Sequence, residues 1–154
     1  MAHDHLDRDE PDGDVELTAV LARPVTTCAE LSERWAFVLG EGGFAGRGLW
    51  LLWFDGDGRQ LPLVVPVDDV PDEIDPRLAT NTTWIAGQVA ADTAGDGASV
   101  AIALSRPGPP VVNGADRAWA NGLRGAADAQ GLRMWDLHLA TPGHVRPLPQ
   151  DEYV

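Results

Sequence analysis

The 154-residue sequence predicts an α/β fold: a single domain in which a mixed central β-sheet is flanked by about three helices. Apolar runs over 48–54 and 61–67 enclose Asp-Gly-Asp-Gly, the pattern of a β-hairpin. Between 100 and 116 an apolar run changes into a Pro/Gly-rich loop and then into a helix cap, which indicates strand, loop and helix. After two further capping residues, Thr27 and Asp75, apolar residues recur at helical spacing, which completes the α/β pattern.

Composition separates a tail from the domain. Residues 1–14 are dominated by His, Asp and Glu, too polar to fold alone, so we predict a disordered acidic tail followed by one domain over 15–150. His3 and His5 lie beside carboxylates there, but a flexible cluster loses chain entropy on binding a metal, and a solubilising tail is the simpler interpretation. A hydrophobic content of 44% is enough for a core.

The first elements follow from local signals. Residues 15–25 predict an edge strand that stops at Pro24, because proline has no N–H to donate to a ladder. Thr27 and Glu30 form a capping box that begins a helix ending at Gly40. Cys28 lies in the first turn of that helix, where the helix dipole lowers a thiol pKa, so a reactive cysteine competes with the more common packed one.

The middle of the chain alternates strands with helices. The run 48–54 is apolar on both faces and therefore predicts a central strand covered on each side of the sheet. Asp75 and Pro76 predict the start of a helix that ends near Gly95, and a strand over 98–104 follows.

The last third predicts a helix and a hairpin. Asn113 and Asp116 repeat the capping-box pattern at the start of a helix closed by Gly131. A strand over 132–140 turns at 141–143 into a short strand over 144–148. His138 and His144 are expected to face each other across this hairpin, more simply as surface residues than as a catalytic pair.

Charge excludes several classes of function. A net charge of −13 repels phosphate backbones, so no nucleic-acid partner is expected. All eleven basic residues are arginine, which excludes Schiff-base chemistry and a P-loop lysine. The single cysteine and the lack of a signal-like or membrane-length segment predict a cytoplasmic protein with no membrane partner.

The predicted site lies where the strand before the Pro/Gly-rich loop ends, because α/β sheets form sites beyond the carboxyl ends of their strands. Its candidate binding residues are Ser105, Arg106, Asn113 and Asp116. In one interpretation Arg106 pairs with an acid such as Asp116 or lies in solvent, and Arg106→Ala then changes stability by about 1 kcal/mol or less. In the other, Arg106 and the following helix start hold an anionic substrate in the 105–108 loop.

The order of elements over 27–148 resembles that of JAB/MPN domains, which share a cytidine-deaminase-like arrangement, and is most similar to their RadC-like branch. The resemblance is carried by LWLLWFDGDGRQLPLVV, by ASVAIALSRPG and by GLRMWDLHLATPGHVRPL. In that family a Glu, two His and an Asp in a Ser-x-x-Asp motif assemble a zinc site that hydrolyses isopeptide bonds.

The resemblance implies a degenerate, metal-free member without a cofactor. Leu104 and Arg106 stand at the two His positions, Val64 lies near the Glu position, and 113–116 echoes Ser-x-x-Asp one residue early. Leucine and arginine do not ligate zinc. Inactive relatives serve as scaffolds, so we expect a non-catalytic module with a protein partner, and a homodimer is compatible with this interpretation. The alternatives are the small anionic ligand at 105–108 and a RadC-like DNA-associated factor, which the charge disfavours.

Overall fold

The structure is a computed structural model that describes residues 19–40, 43–93 and 95–150. The predicted acidic tail at 1–14 lies outside the described residues. The named elements, in chain order, are α1 (Cys28–Leu39), β1 (Gly48–Phe54), β2 (Gln60–Val67), α2 (Pro76–Thr93), β3 (Ser99–Ser105), α3 (Gly114–Ala129), β4 (Leu137–Thr141) and β5 (His144–Leu148).

These strands form one five-stranded sheet in the order β2-β1-β3-β4-β5. β1 pairs antiparallel with both β2 and β3, whereas β3 and β4 run parallel and β4 and β5 form an antiparallel hairpin. The predicted mixed sheet within a single α/β domain is therefore confirmed.

Helices cover both faces of the sheet. One face packs against α2 and α3, in a core that contains Trp53 of β1 and Trp119 of α3. The other face packs against α1 through Leu31 and Trp35. Because β1 and β3 contribute side chains to both clusters, their residues are apolar without alternation, as the sequence predicted for a covered strand.

The predicted helix starts are confirmed at atomic detail. The Thr27 hydroxyl accepts from the Glu30 N–H while the Glu30 carboxylate accepts from the Thr27 N–H, and Asn113 and Asp116 repeat this arrangement at α3. Asp75 Oδ1 accepts from the N–H groups of residues 77 and 78 at the start of α2. Each cap satisfies backbone donors that a first helical turn leaves without partners.

The predicted hairpin joins β1 to β2 through residues 55–59. Asp55 Oδ1 accepts from the N–H groups of Asp57 and Arg59, which closes the turn. Gly58 has φ +82°, and a Cβ there would lie 2.5 Å from the Val25 carbonyl oxygen. Only glycine fits this position without moving the chain that leads into α1.

Both edge strands carry proline. β2 contains Pro62 and Pro66, and β5 contains Pro147. Proline has no N–H for a ladder, so it is tolerated in a sheet mainly at an edge. Leu63 and Val64 of β2 are more than a third exposed, as the position of β2 at the end of the sheet requires.

Two strand predictions were wrong in part. The expected edge strand over 15–25 is helical at 19–22, and 15–18 lies outside the described residues. The buried Arg34 guanidinium donates to the carbonyl oxygens of Val20 and Arg23, which secures the end of that helical turn. The strand predicted over 132–140 is continuous only from Leu137. Before it, Met134 makes an isolated parallel bridge to Val100 of β3, and the carbonyl groups of residues 134 and 135 accept from Arg124.

Candidate functional site

A cleft of about 920 Å³ opens at the carboxyl end of β3, where the sequence placed the site. Ser105 and Pro107 line it together with Trp50 of β1. Its outer wall carries three carboxylates, Asp68, Asp69 and Asp72. The cleft is therefore acidic on the side that a ligand would meet first, which repels an anion.

Asp116 is the centre of a buried ion cluster beside this cleft. Its side chain is fully buried, and its two carboxylate oxygens accept from Arg106 at 2.9–3.1 Å. Arg47 Nη1 donates to Asp116 Oδ1 at 2.9 Å, and the Asn113 N–H donates to Oδ2 at 3.0 Å. One carboxylate thus holds two guanidinium groups and caps α3.

Burial alone would raise the pKa of the Asp116 carboxyl. Hydrogen bonds from Arg106, from the Asn113 N–H and from Arg47 oppose that effect and lower the pKa below its ordinary value. The ionised form of Asp116 is therefore the one that the fold stabilises.

Arg106 has no donor left for a ligand. Nε and one Nη2 hydrogen are taken by Asp116, and the other Nη2 hydrogen by the carbonyl oxygen of Val111 at 2.7 Å. The two hydrogens of Nη1 reach the carbonyl oxygens of Pro107 and Pro109 at 3.0 and 3.1 Å. A guanidinium offers five N–H donors, and all of them hold the loop and α3 together.

Arg47 is the member of the cluster that sequence reasoning missed. It follows the glycine-rich segment 43–46, and its side chain is almost fully buried. Nε donates to Asp72 Oδ1 at 3.2 Å, and the Arg47 carbonyl oxygen accepts from the Val70 N–H. The sequence carries no local signal for this role, because the partners lie 25 and 69 residues away.

The four predicted site residues lie close to one another but differ in accessibility. Ser105 is buried, and its hydroxyl accepts from the Trp50 indole N–H at 3.0 Å. Asn113 is exposed and serves as the cap of α3, whereas Arg106 and Asp116 are buried in the ion pair that the sequence had offered as an interpretation. Because the pair is buried, its contribution to the free energy of unfolding is not that of a surface ion pair.

The JAB/MPN resemblance assigns zinc-ligand positions to residues that do not all lie next to one another in the structure. Leu104 is fully buried in the core that faces α2 and α3. Leu49 pairs with Leu104 on one side and with Val67 on the other, so Val67 rather than Val64 lies level with Leu104 across the sheet. Val64 lies three residues further along the edge strand.

A second cluster of reactive side chains joins α1 to β4. Ser32 Oγ lies 2.8 Å from His138 Nε2, although the two residues are 106 positions apart in sequence. The Ser32 hydroxyl also donates to the Cys28 carbonyl oxygen at 3.1 Å. The expected His138–His144 pair is wrong, because His144 pairs with Thr141 in the ladder and His138 with Pro147.

This cluster is built as a packing contact. Ser32 Oγ and His138 Nε2 share one hydrogen bond, and the tautomer of the imidazole decides which of the two atoms donates. The ring is fully buried, and Nδ1 lacks a partner in hydrogen-bond geometry among the described residues. Burial lowers the pKa of His138 to about 4, although a hydrogen bond with the Asp136 backbone and the charge of the Asp136 side chain each raise it. Such an imidazole is a weak base at neutral pH and is closed to substrate.

The thiol of Cys28 is not activated. Burial, and then the charge of Asp136, raise the pKa of Cys28 above its ordinary value. The effect expected from the helix start is therefore overcome by its surroundings, and the protonated, packed thiol is the form that the fold favours.

His138 makes the domain sensitive to acid. With a folded-state pKa near 4 and an unfolded pKa near 6.5, only the unfolded chain binds this proton between those values. We expect the free energy of unfolding to fall by up to about 1.4 kcal/mol per pH unit across this window, about 3 kcal/mol in all. Asp116 and Glu30 contribute in a lower range, since both have lowered pKa values and lose their contribution only below the ordinary carboxyl range.

Urea unfolding at pH 7, 5.5 and 4.5 measures this effect. In His138→Gln the dependence on pH within the window should flatten, whereas His144→Gln changes an exposed imidazole and should keep it. Equal pH profiles for wild type and His138→Gln would contradict the assignment.

Residues 19–40, 43–93 and 95–150 contain no group of three or more His, Cys, Asp and Glu side chains placed to hold a metal ion. Within the same ranges, no helix combines the length and the hydropathy that crossing a membrane requires.

The sequence matches no model of a known family, and it matches no curated protein. The resemblance to JAB/MPN domains therefore stays a prediction made from the order of elements and from the three quoted segments.

Proposed function

We propose that this chain is a cytoplasmic, non-catalytic and metal-free protein-interaction or scaffold module of the JAB/MPN type. It acts by binding another protein chain through its surface. The strand end that carries the active site in catalytic relatives serves here to hold the domain together.

One observation supports this proposal above the others. At the end of β3, Arg106 and Asp116 are both buried, and their polar atoms form hydrogen bonds with each other, with Arg47 and with the backbone. A catalytic zinc needs about three protein ligands and an open position, and neither Leu104 nor Arg106 supplies a ligand. A general acid or base must reach a substrate proton, which a buried and fully bonded pair does not.

The anionic-ligand alternative has less support. Every N–H of Arg106 already has an acceptor, and the adjoining cleft presents Asp68, Asp69 and Asp72 to solvent. An anion entering this cleft would meet like charge before any free donor. A protein contact requires no such donor, because exposed apolar side chains supply its energy.

Two measurements on the same preparation test the proposal. Elemental analysis of tag-free protein should find no stoichiometric zinc, and a di-ubiquitin substrate should remain uncleaved. Affinity capture followed by cross-linking should recover a defined protein partner. Ser105→Ala should capture this partner equally well, because Ser105 is buried at the end of β3, to which the proposal gives a structural role and no contact with the partner.

The opposite results are equally clear. One tightly held zinc per chain that persists after deletion of residues 1–14 would overturn the metal-free assignment. Cleavage of the isopeptide bond, abolished by Arg106→Ala in a protein that stays folded, would replace the scaffold by an enzyme.

Binding to duplex DNA is expected to be absent at physiological salt. A net charge of −13 opposes approach to phosphates before any specific contact forms. A gel-shift titration at about 150 mM salt should show no saturable complex up to micromolar protein. Saturable micromolar binding would instead favour a DNA-associated factor.

A further inference from the structure

The outer face of α2 differs in charge from the rest of the protein. Residues 78–91 contain no charged side chain, in a sequence of which 23% is charged. Trp84 and Ile85 project from this face with 56% and 52% of their surfaces exposed. Large apolar side chains exposed next to each other on an uncharged helix surface are typical of a contact site.

The exposed residues of α2 also form a self-complementary series. Arg77 and Asp92 lie at its two ends, Asn81 and Gln88 lie inside them, and Trp84 and Ile85 lie at the centre. All six are exposed. At about 100° per residue they occupy one stripe of the helix that is about 100° wide.

A two-fold axis between positions 84 and 85 would match this series with itself. When two copies of α2 pack antiparallel about that axis, Trp84 faces Ile85 of the second copy and Asn81 faces Gln88. Arg77 then meets Asp92 of the second copy, so that opposite charges close both ends. A closed two-fold interface needs this property, since one surface must complement itself.

We propose that this chain forms a homodimer in which α2 packs antiparallel against α2 of a second copy, with Trp84 and Ile85 at the centre. The inference rests on the proposed function and deepens it by naming a protein partner. The charges at the two ends of α2 favour contact with a second copy at this helix rather than elsewhere on the surface. Two molecules of net charge −13 repel each other over most of their surfaces, whereas the Arg77 and Asp92 charges of α2 cancel.

Sedimentation of the full chain between about 5 and 200 µM tests the dimer, because that range detects dissociation constants from micromolar to nearly millimolar. Wild type should shift from monomer to dimer, and Trp84→Asp and Ile85→Asp should stay monomeric throughout. Val64→Asp is the matched control. It adds the same charge at an exposed apolar residue on the sheet face opposite to Leu61 and Val65, which pack toward α2 and α3.

Charge reversal tests the register. Arg77→Asp and Asp92→Arg each place like charges at both ends of the interface, and each should weaken self-association about tenfold or more. An equimolar mixture of the two variants should form a heterodimer, because each end then joins Asp to Arg. Both residues are exposed, so circular dichroism is expected to show that each variant folds.

Three results would overturn the inference: a monomer at 200 µM, a dimer unaffected by Ile85→Asp, or reversed variants that do not associate when mixed. A monomer that still captures a different protein would overturn the α2 dimer and leave the scaffold function standing. Zinc-dependent isopeptide cleavage by a dimer would do the reverse.

Discussion

Asp116→Asn is expected to lower the free energy of unfolding at pH 7 by about 3–5 kcal/mol. The substitution preserves shape but removes the single negative charge that compensates Arg47 and Arg106 in the interior. Breaking a buried pair leaves desolvated charge behind, which costs more than the pair contributed. Urea unfolding followed by tryptophan fluorescence measures the loss.

Asp72→Asn is the matched control for that experiment. Asp72 also pairs with Arg47, at 3.2 Å, but its side chain is 84% exposed. Its removal should cost less than about 1 kcal/mol, as for other exposed ion pairs. A loss in Asp116→Asn as small as that of Asp72→Asn would show that water reaches the cluster.

The cluster as a whole is expected to be replaceable. Changing Arg47 and Arg106 to Met and Asp116 to Leu removes every charge together and should recover much of the stability lost by Asp116→Asn. The remaining deficit should be about 1 kcal/mol or more, because Asp116 also caps α3 through the Asn113 N–H and Arg106 also donates to the carbonyl oxygens of residues 107, 109 and 111.

Arg106→Ala is expected to cost about 3–5 kcal/mol, well above the 1 kcal/mol of a surface ion pair. Alanine leaves the carbonyl groups of residues 107, 109 and 111 without their donor and removes one of the two cations at Asp116. Arg106→Lys keeps a charge but not the planar fork, so it should recover only part of the loss.

Two measurements test the Arg106 prediction. Urea unfolding gives the free energy of unfolding, and amide hydrogen exchange at Asn113 and Asp116, whose N–H groups bond across the start of α3, should accelerate as the loop loses its anchor. A double-mutant cycle with Asp116→Ala should give a coupling of at least about 1 kcal/mol. A change in stability below 1 kcal/mol without faster exchange would return Arg106 to the surface-pair interpretation.

Local signals predicted most of the elements. These signals are local: the capping boxes at Thr27 and Asn113 and the Asp-Gly turn join residues only a few positions apart. A short sequence pattern is therefore enough to predict them. The unalternating run of β1 indicated a strand covered on both faces, as the structure confirms. The strand predicted over 15–25 was wrong at 19–22, which are helical, and Arg34 holds the carbonyl oxygens at the end of that turn from 14 and 11 positions away.

The site was less predictable than the fold. The end of β3 and the four residues around it were located from the strand-end rule, and the Arg106–Asp116 pair was an explicit interpretation. Burial of the pair depends on Arg47, whose partner Asp116 is 69 positions away and whose own neighbours are glycines. The contact between Ser32 and His138 depends on α1 crossing the sheet, which no spacing in the sequence reports.

The prolines at the two ends of the sheet affect how the protein behaves at high concentration. An open edge strand offers a row of free N–H and C=O groups on which further strands can grow into cross-β fibrils. Pro62, Pro66 and Pro147 interrupt that row at both ends of the five-stranded sheet. The sheet is therefore a poor template for fibril growth, although its edge strand β2 exposes Leu63 and Val64.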